Sequence, residues 1–444
     1  MTNHSCAQVE VIREAFGYIN RFKGETFVLA IDGSLMESDA LPSLVRDIVL
    51  LQRMGIRIAL VPGARERIDA VLKKYNVACP LVQGTRVTTP QAIPFVKMAS
   101  FDVSNRIMTM LSRNGADAVI GNWVRARTLG VRDGIDYQHT GLVEKVKAEF
   151  VIRSLNDGLV AIFPTIGWSS TGTPYNISSS ELAATLAREL RASKLLFCNR
   201  NGGIAAAGLK VPHDICLSNR GHLPLLTVSQ ARLVLEANRT RRARLLLEPV
   251  LRGVEACEYG VNRVHIINGN VDGVLLTEIF SNRGYGTMIH ANEYDNVRPM
   301  TFADIPDVLA LMRPLVEKKA LVPRSGEELA AKLGDYIVHE IDGMVHGCGA
   351  LHLLSPDEGE IAAIGVDAQY EGMGIGHKLV TFLLERAGKM QLRKVVLLTT
   401  QAPDWFFEAG FTRGGVGDLP RERRATVNRQ RNPLVLVYSP HPRS

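Results

Sequence analysis

GEIAAIGVDAQYEGMGIGHKLVTFLLERAGK, residues 359–389, passes from an apolar run through a glycine-rich turn into an amphipathic stretch. GEIAAIGVD (359–367) reads as a buried strand that stops at Asp367, and HKLVTFLLERAGK reads as a helix. Gly372, Gly374 and Gly376 remove side chains where backbone N–H groups and the positive end of the helix dipole converge, an arrangement that suits a pyrophosphate. A phosphate-bearing cofactor follows, with a plain tight turn as the alternative. The spacing is not that of a dinucleotide fingerprint, because the run is not preceded by the first strand of a βαβ pair.

Upstream, YIVHEIDGMVHGCGALHLL (336–354) reads as a hairpin turning at Asp342-Gly343, a dipeptide suited to a type I′ turn. A new pattern starts at VRPMTFADIPDVLALM (297–312), after the polar stretch GTMIHANEYDN (286–296), which has no periodicity. Strands first and then βαβα make residues 298–444 a mixed α/β domain, with 291–297 as linker. Before the linker, FVLAI (27–31), IRIALV (56–61), Gly158–Pro164, Leu195–Cys198 and Val264–Ile267 read as strands. They alternate with helical stretches at Leu41–Met54, Ile68–Tyr75, Leu182–Leu190 and Arg232–Tyr259. That alternation predicts an open α/β domain with a mainly parallel sheet over 1–290.

Composition agrees with two soluble domains. The 444 residues exceed one ordinary core, and 46% hydrophobic with 22% charged residues leaves no room for long disordered tails. MTNHSCAQVEVIREAF (1–16) has no basic region leading into an apolar one, and no window is apolar enough for a membrane span. A cytoplasmic protein without membrane contact is expected. Cys6, Cys79, Cys198, Cys216, Cys257 and Cys348 are scattered without metal or disulfide spacing, so they read as buried thiols and no metal is expected. The +7 charge gathers in Arg239–Arg244 and Arg421–Arg431 without interleaved aromatics, which argues against nucleic acid. These runs read as solvated faces or as contacts to small anions.

Gln369-x-x-Gly372-x-Gly374, the strand ending Val366-Asp367, the opening RPMTFADI (298–305) and WFFEAGF (405–411) together resemble the Gcn5-related N-acetyltransferase family over Val297–Tyr438. The resemblance implies acetyl-CoA as co-substrate, held by Ile364, Val366, Gln369, Glu371, Gly372, Gly374, Ile375 and Gly376. It also implies direct attack of an amine on the thioester. Glu360 is then the candidate base, acting through water, and backbone N–H groups near Ile364–Val366 steady the carbonyl oxygen. Thr399 or Thr400, at the end of VVLLTT, is the candidate acid; many relatives carry a tyrosine just beyond, where this chain has Trp405, Phe406 and Phe407.

ALVPRSGEEL (320–329) and VNRQRN (427–432) resemble the glutamate-binding stretches of the bacterial N-acetylglutamate synthase family. This implies Arg324 and Arg431 on the carboxylates of L-glutamate, with Lys318 and Arg429 as further candidates. Residues 26–290 resemble the amino-acid kinase fold, a three-layer α/β arrangement, through FVLAIDGS (27–34), LVPGARERID (60–69), YNISSSELAATLA (175–187) and LLTEIFSNRGYGTMI (275–289). Ala30-Ile31-Asp32-Gly33 stands where such kinases carry Lys-x-Gly-Gly, Ser180 where they carry an aspartate, and LLLEPVL (245–251) where they carry a second lysine. Phosphoryl transfer depends on positioned cations, and Asp32 places an anion there, so an inactive kinase fold is expected. His265, Glu278 and Gly286 resemble the arginine-binding stretch of arginine-inhibited relatives, which implies L-arginine as inhibitory effector. A homo-oligomer, a hexamer paired through a helix at Ile12–Phe22, is also implied by resemblance. Acetyl transfer to glutamate at the opening of arginine biosynthesis is the expected function. The competing readings are a working kinase with an accessory domain, a non-catalytic arginine and CoA sensor, and an acetyltransferase for another amine.

Overall fold

The strands of the first half are buried from end to end rather than on alternate residues. Thr26–Ile31 (β1) is buried at all six positions and Arg57–Pro62 (β2) at five of six, the pattern of a parallel sheet covered on both faces. The computed structural model describes residues 22–212, 215, 217–218, 221–280, 286–291, 295–341, 344–368, 374–399, 404–425 and 433–440. It divides into two units, Met1–Asn292 and Glu293–Ser444.

Among the described residues the first unit builds an eight-stranded sheet. To β1 and β2 it adds Ala118–Ile120 (β3), Val160–Ile162 (β4), Lys194–Asn199 (β5), Leu225–Thr227 (β6), Arg263–Asn268 (β7) and Thr287–His290 (β8). The order is β6-β8-β7-β5-β1-β2-β4-β3, parallel except where β8 meets β7. Leu41–Arg53 (α1) and Ile93–Arg113 (α2) pack together beside β2, while Ser179–Glu189 (α3) and Glu248–Glu258 (α4) pack together over β5, in a core that includes Val28, Val61, Leu182, Leu186 and Val254. The fold is therefore the open, mainly parallel three-layer arrangement expected. The helical stretch Arg232–Tyr259 differs: it is three helices, because Thr240 caps a new start by accepting from the Ala243 N–H and Pro249 sits in the first turn of α4.

In the second unit, Asp295–Pro299 (β9), Tyr336–Ile341 (β10), Met344–Ser355 (β11), Glu358–Val366 (β12), Lys394–Thr399 (β13), Thr412–Arg413 (β14) and Leu434–Tyr438 (β15) form one sheet. Its order is β9-β10-β11-β12-β13-β15-β14, antiparallel except for β12 with β13. Alternate side chains feed two cores. Tyr336, Val338, Cys348 and Ala350 meet Ile305–Glu317 (α5) and Gly326–Ala331 (α6), whereas Ile337, Leu351 and Ile361 meet Ile375–Lys389 (α7). The hairpin is present, with Ile341 paired to Met344; its turn residues Asp342 and Gly343 lie outside the described residues, as does the expected N-terminal helix before Phe22.

The polar stretch 286–296 is not structureless. β8 occupies its first part, and β9 begins inside the segment 291–297 that reads as a linker. Ladder hydrogen bonds, Val297 opposite His339 among them, need no apolar periodicity, so the sequence pattern gave no sign of this edge strand. Arg298 on β9 grips Asp304 with two N–H donors at 2.8 Å each and Glu340 at 2.6 Å. Hydrogen bonds from Arg298 hold the Asp304 carboxyl down at about 2, so its contribution to stability is present above the ordinary carboxylate range and lost as pH falls from there towards 2. Arg298→Gln is expected to cost about 2 kcal/mol in urea denaturation at neutral pH; an unchanged midpoint would remove the pair from the account.

Candidate active site and effector site

The site in the second unit begins with a backbone irregularity. Cys348 pairs with Gly365 and Ala350 with Ala362, so Ala363 and Ile364 together face Gly349, and Ala363 adopts φ +58°. This bulge bends β12. Pairing of β12 with β13 runs from Glu358 opposite Lys394 to Ile361 opposite Leu397 and stops there, although β12 continues to Val366 and β13 to Thr399. The two parallel strands therefore splay, and the edge of Ala362–Val366 towards β13 has no ladder partner in it. Ile364 and Val366, the expected carbonyl-steadying positions, lie in this splayed segment.

Glu360, opposite Val396, lies two residues before the splay begins at Ala362. Gly359 and Ile361 face the α7 core, which turns Glu360 to the opposite face, where it is only 6% exposed. Arg423, on the short helix Arg421–Ala425, reaches it: Nε donates to Oε2 at 2.6 Å and Nη2 to Oε1 at 2.8 Å. The basic run is thus not simply a solvated face, since one guanidinium is committed to the candidate base.

Gly374 is in the left-handed region, φ +77°, and begins α7 without a side-chain cap. The first intrahelical bond is Lys378 N–H to the Gly374 carbonyl, so the amides of Ile375 and Gly376 precede the helix's own ladder. A Cβ on Gly376 would meet Trp405 at 3.7 Å, an ordinary contact, so packing alone does not require that glycine. Gln369, Glu371 and Gly372, together with Thr400, Arg429 and Arg431, lie outside the described residues.

Arg324 precedes α6, whose start is fixed by a reciprocal Ser325–Glu328 capping box. Its guanidinium carbon lies 6.0 Å from the centre of the Tyr336 ring. Burial pushes the Cys348 thiol up to about 12, and the charge of Arg324 opposes that shift, which puts Arg324 within electrostatic reach of the strand residue paired with Gly365. Arg324 and Glu360 thus belong to the same face of the sheet, while Lys318 caps the end of α5. Thr399 ends β13 opposite Leu434. Trp405 stacks on buried Phe406 at 3.9 Å between ring centres, so the positions beyond Thr399 hold rings without an acidic proton.

In the first unit Ser180 Oγ donates to Glu248 Oε1 at 2.6 Å. Burial, with Asp32 and Asp69 adding to it, raises the Glu66 carboxyl. Asp32, Glu66 and Asp69 are thus close enough for their charges to act on one another. Further along the sheet, Lys194 Nζ lies 3.3 Å from His265 Nε2, and His265 Nδ1 lies 2.9 Å from Glu278 Oε1. The partners fix the tautomer: Nδ1–H donates to the carboxylate, and Nε2 accepts from the ammonium. Burial first, and then the Lys194 charge, push His265 down to about 4, so it is neutral near pH 7. Lys194 also lies 5.0 Å from the Phe22 ring centre. Lys194 was not foreseen, because a lysine beginning an apolar strand reads as a strand end.

Gly286 joins this cluster through the backbone. A Cβ there would fall 2.1 Å from the Ile266 carbonyl oxygen. Gly286→Ala is expected to destabilise the first unit by roughly 2 kcal/mol or more, as read by thermal denaturation. An unchanged melting temperature would contradict that close approach. Cys198, Cys257 and Cys348 are buried as expected, whereas Cys79 is only half-buried; Cys6 and Cys216 lie outside the described residues. Among the described residues no three His, Cys, Asp or Glu side chains converge as metal ligands, and no helix is long and apolar enough to cross a membrane.

A mainly parallel eight-stranded sheet covered by helices, followed by a splayed, mostly antiparallel sheet with an uncapped helix start, is the architecture of an amino acid kinase fold joined to an N-acetyltransferase fold. Residues 25–268 match the amino acid kinase family and 309–408 the acetyltransferase (GNAT) family. The amino-acid acetyltransferase of Proteus mirabilis is 33% identical across 99% of this chain and 100% of its own, and that of Ralstonia nicotianae is 33% identical across 97% and 94%. The crystal structure of N-acetylglutamate synthase from Neisseria gonorrhoeae complexed with coenzyme A and L-arginine is similar at 31% identity and TM-score 0.81, covering 97% of this chain and 99% of that one. The structure of the same protein with coenzyme A and N-acetyl-glutamate has TM-score 0.60 at 31% identity, covering 98% and 99%. The chain belongs to the amino-acid acetyltransferase family, and its enzyme class is acyltransferase.

Proposed function

We propose that this chain transfers the acetyl group of acetyl-CoA to the α-amine of L-glutamate, giving N-acetyl-L-glutamate and CoA, and that L-arginine held in the first unit inhibits it. The observation that carries this reading is the splay of β12 from β13 two residues after buried Glu360. A thioester lying in the splay meets the backbone of Ile364–Val366, and the start of α7 at Gly374–Gly376 receives the cofactor's phosphates. The neutral amine adds to the carbonyl carbon, the new C–N bond replaces the C–S bond, and the amine proton passes through water towards Glu360. The thiolate takes a proton at the Thr399–Thr400 end of β13. Arg324, with Arg431, binds the carboxylates of glutamate.

The effector reading rests on Glu278, a buried anion suited to a guanidinium, with His265 and Gly286 beside it. The Neisseria gonorrhoeae relative is described with ligands of each kind. A cytoplasmic homo-oligomer serving arginine biosynthesis is the setting that this reading implies. The test is to offer acetyl-CoA with a panel of amino acids and identify products by mass spectrometry. N-acetylglutamate as main product supports the proposal; acetylation of a different amine with glutamate untouched overturns it.

A further inference from the structure

We propose that Arg423 is a positioning residue for acetyl transfer, holding the carboxylate of Glu360 in the one orientation from which it receives the proton. The proposal rests on the reading of Glu360 as base. The pairing is two-pronged, with both carboxylate oxygens engaged at 2.6 and 2.8 Å. Such a fork fixes rotation as well as distance, which a single contact does not. The carboxylate side chain is 9% exposed and the guanidinium side chain 25%, so water does little to solvate Glu360 and a compensating charge is required. Each oxygen keeps a further lone pair, enough to accept from a water molecule that carries the proton.

The helix that bears Arg423 is anchored independently of this pair. Arg424 donates from Nε to the Leu419 carbonyl at 2.6 Å and from Nη2 to the Gly417 carbonyl at 2.7 Å, and Leu419 is buried against Val396 and Val435. The pair with Arg423 reaches a side chain 63 positions earlier in the chain, so it ties this helix to β12 in addition to the anchoring by Arg424.

The experiment is a double-variant cycle on the full-length protein with Glu360→Gln, Arg423→Gln, the pair combined, and Arg423→Lys. Arg423→Gln is expected to lower kcat by roughly 10- to 100-fold with the KM for acetyl-CoA unchanged. Arg423→Lys, which keeps the charge but not the fork, is expected to recover part of the loss. The combined variant is expected to be no slower than Glu360→Gln alone, since a residue acting only through Glu360 has nothing left to act on. A slow Glu360→Gln whose defect multiplies with that of Arg423→Gln would overturn the positioning role and leave the base in place. Wild-type turnover in Glu360→Gln would overturn the base and the proposal together. Should Arg423→Gln fail to fold, Arg423→Lys combined with Glu360→Gln closes the same cycle.

Discussion

Glu360→Gln is expected to lower kcat by about 100- to 10,000-fold while the KM for acetyl-CoA stays within error, the usual loss when a proton acceptor is removed. An amide of the same size cannot take the amine proton. It also meets Arg423 with an N–H where the guanidinium expects an oxygen, so the remaining hydrogen bond is single rather than paired. The cofactor contacts inferred for Ile364–Val366 and Gly374–Gly376 are made by backbone, which the substitution leaves alone. Steady-state kinetics over both substrates separates the two effects. Equal losses in kcat and in acetyl-CoA affinity would mean that Glu360 shapes the strand rather than the chemistry.

Glu278→Gln is expected to raise the arginine concentration for half-inhibition by about 100-fold or more, because the loss of one charge from a buried pair costs roughly 3–5 kcal/mol. The side chain is 3% exposed, so water cannot replace the missing charge when a guanidinium enters. Lys194 on the far side of His265 makes the demand stronger, since a second cation in the cluster tolerates arginine only if the carboxylate is ionised. Titration calorimetry and inhibition curves measure the shift, with the rate in the absence of arginine as reference. Unaltered inhibition would place the effector elsewhere.

The strand, turn and helix around residues 359–389 were legible because glycine, apolar runs and helical periodicity are local signals. The bulge was not: Ala363 carries no mark of its φ of +58°, which tertiary packing imposes. The side sheet formed by Val124–Thr128, Gly141–Val146, Ile166–Trp168 and Pro174–Asn176 also went unread, since its strands are short and mix polar residues with glycine. Glu360 stands out in the sequence as a carboxylate on the strand that precedes the glycine-rich loop. Its partner was missed because an ion pair across 63 residues leaves no trace in local spacing, and Arg423 sits within a run that reads as solvated. Lys194 was missed because it begins an apolar strand and its neighbour His265 is 71 residues away, whereas His265 and Glu278 are expectations drawn from the segment they resemble.

The central claim is acetyl transfer to glutamate under arginine control, and the release of free CoA thiol tests it most directly. Purified protein with acetyl-CoA is followed with and without glutamate, and the run is repeated with arginine. Thiol release that requires glutamate and falls when arginine is added is the predicted result. No release with glutamate present, under conditions where the protein binds acetyl-CoA, would contradict the account.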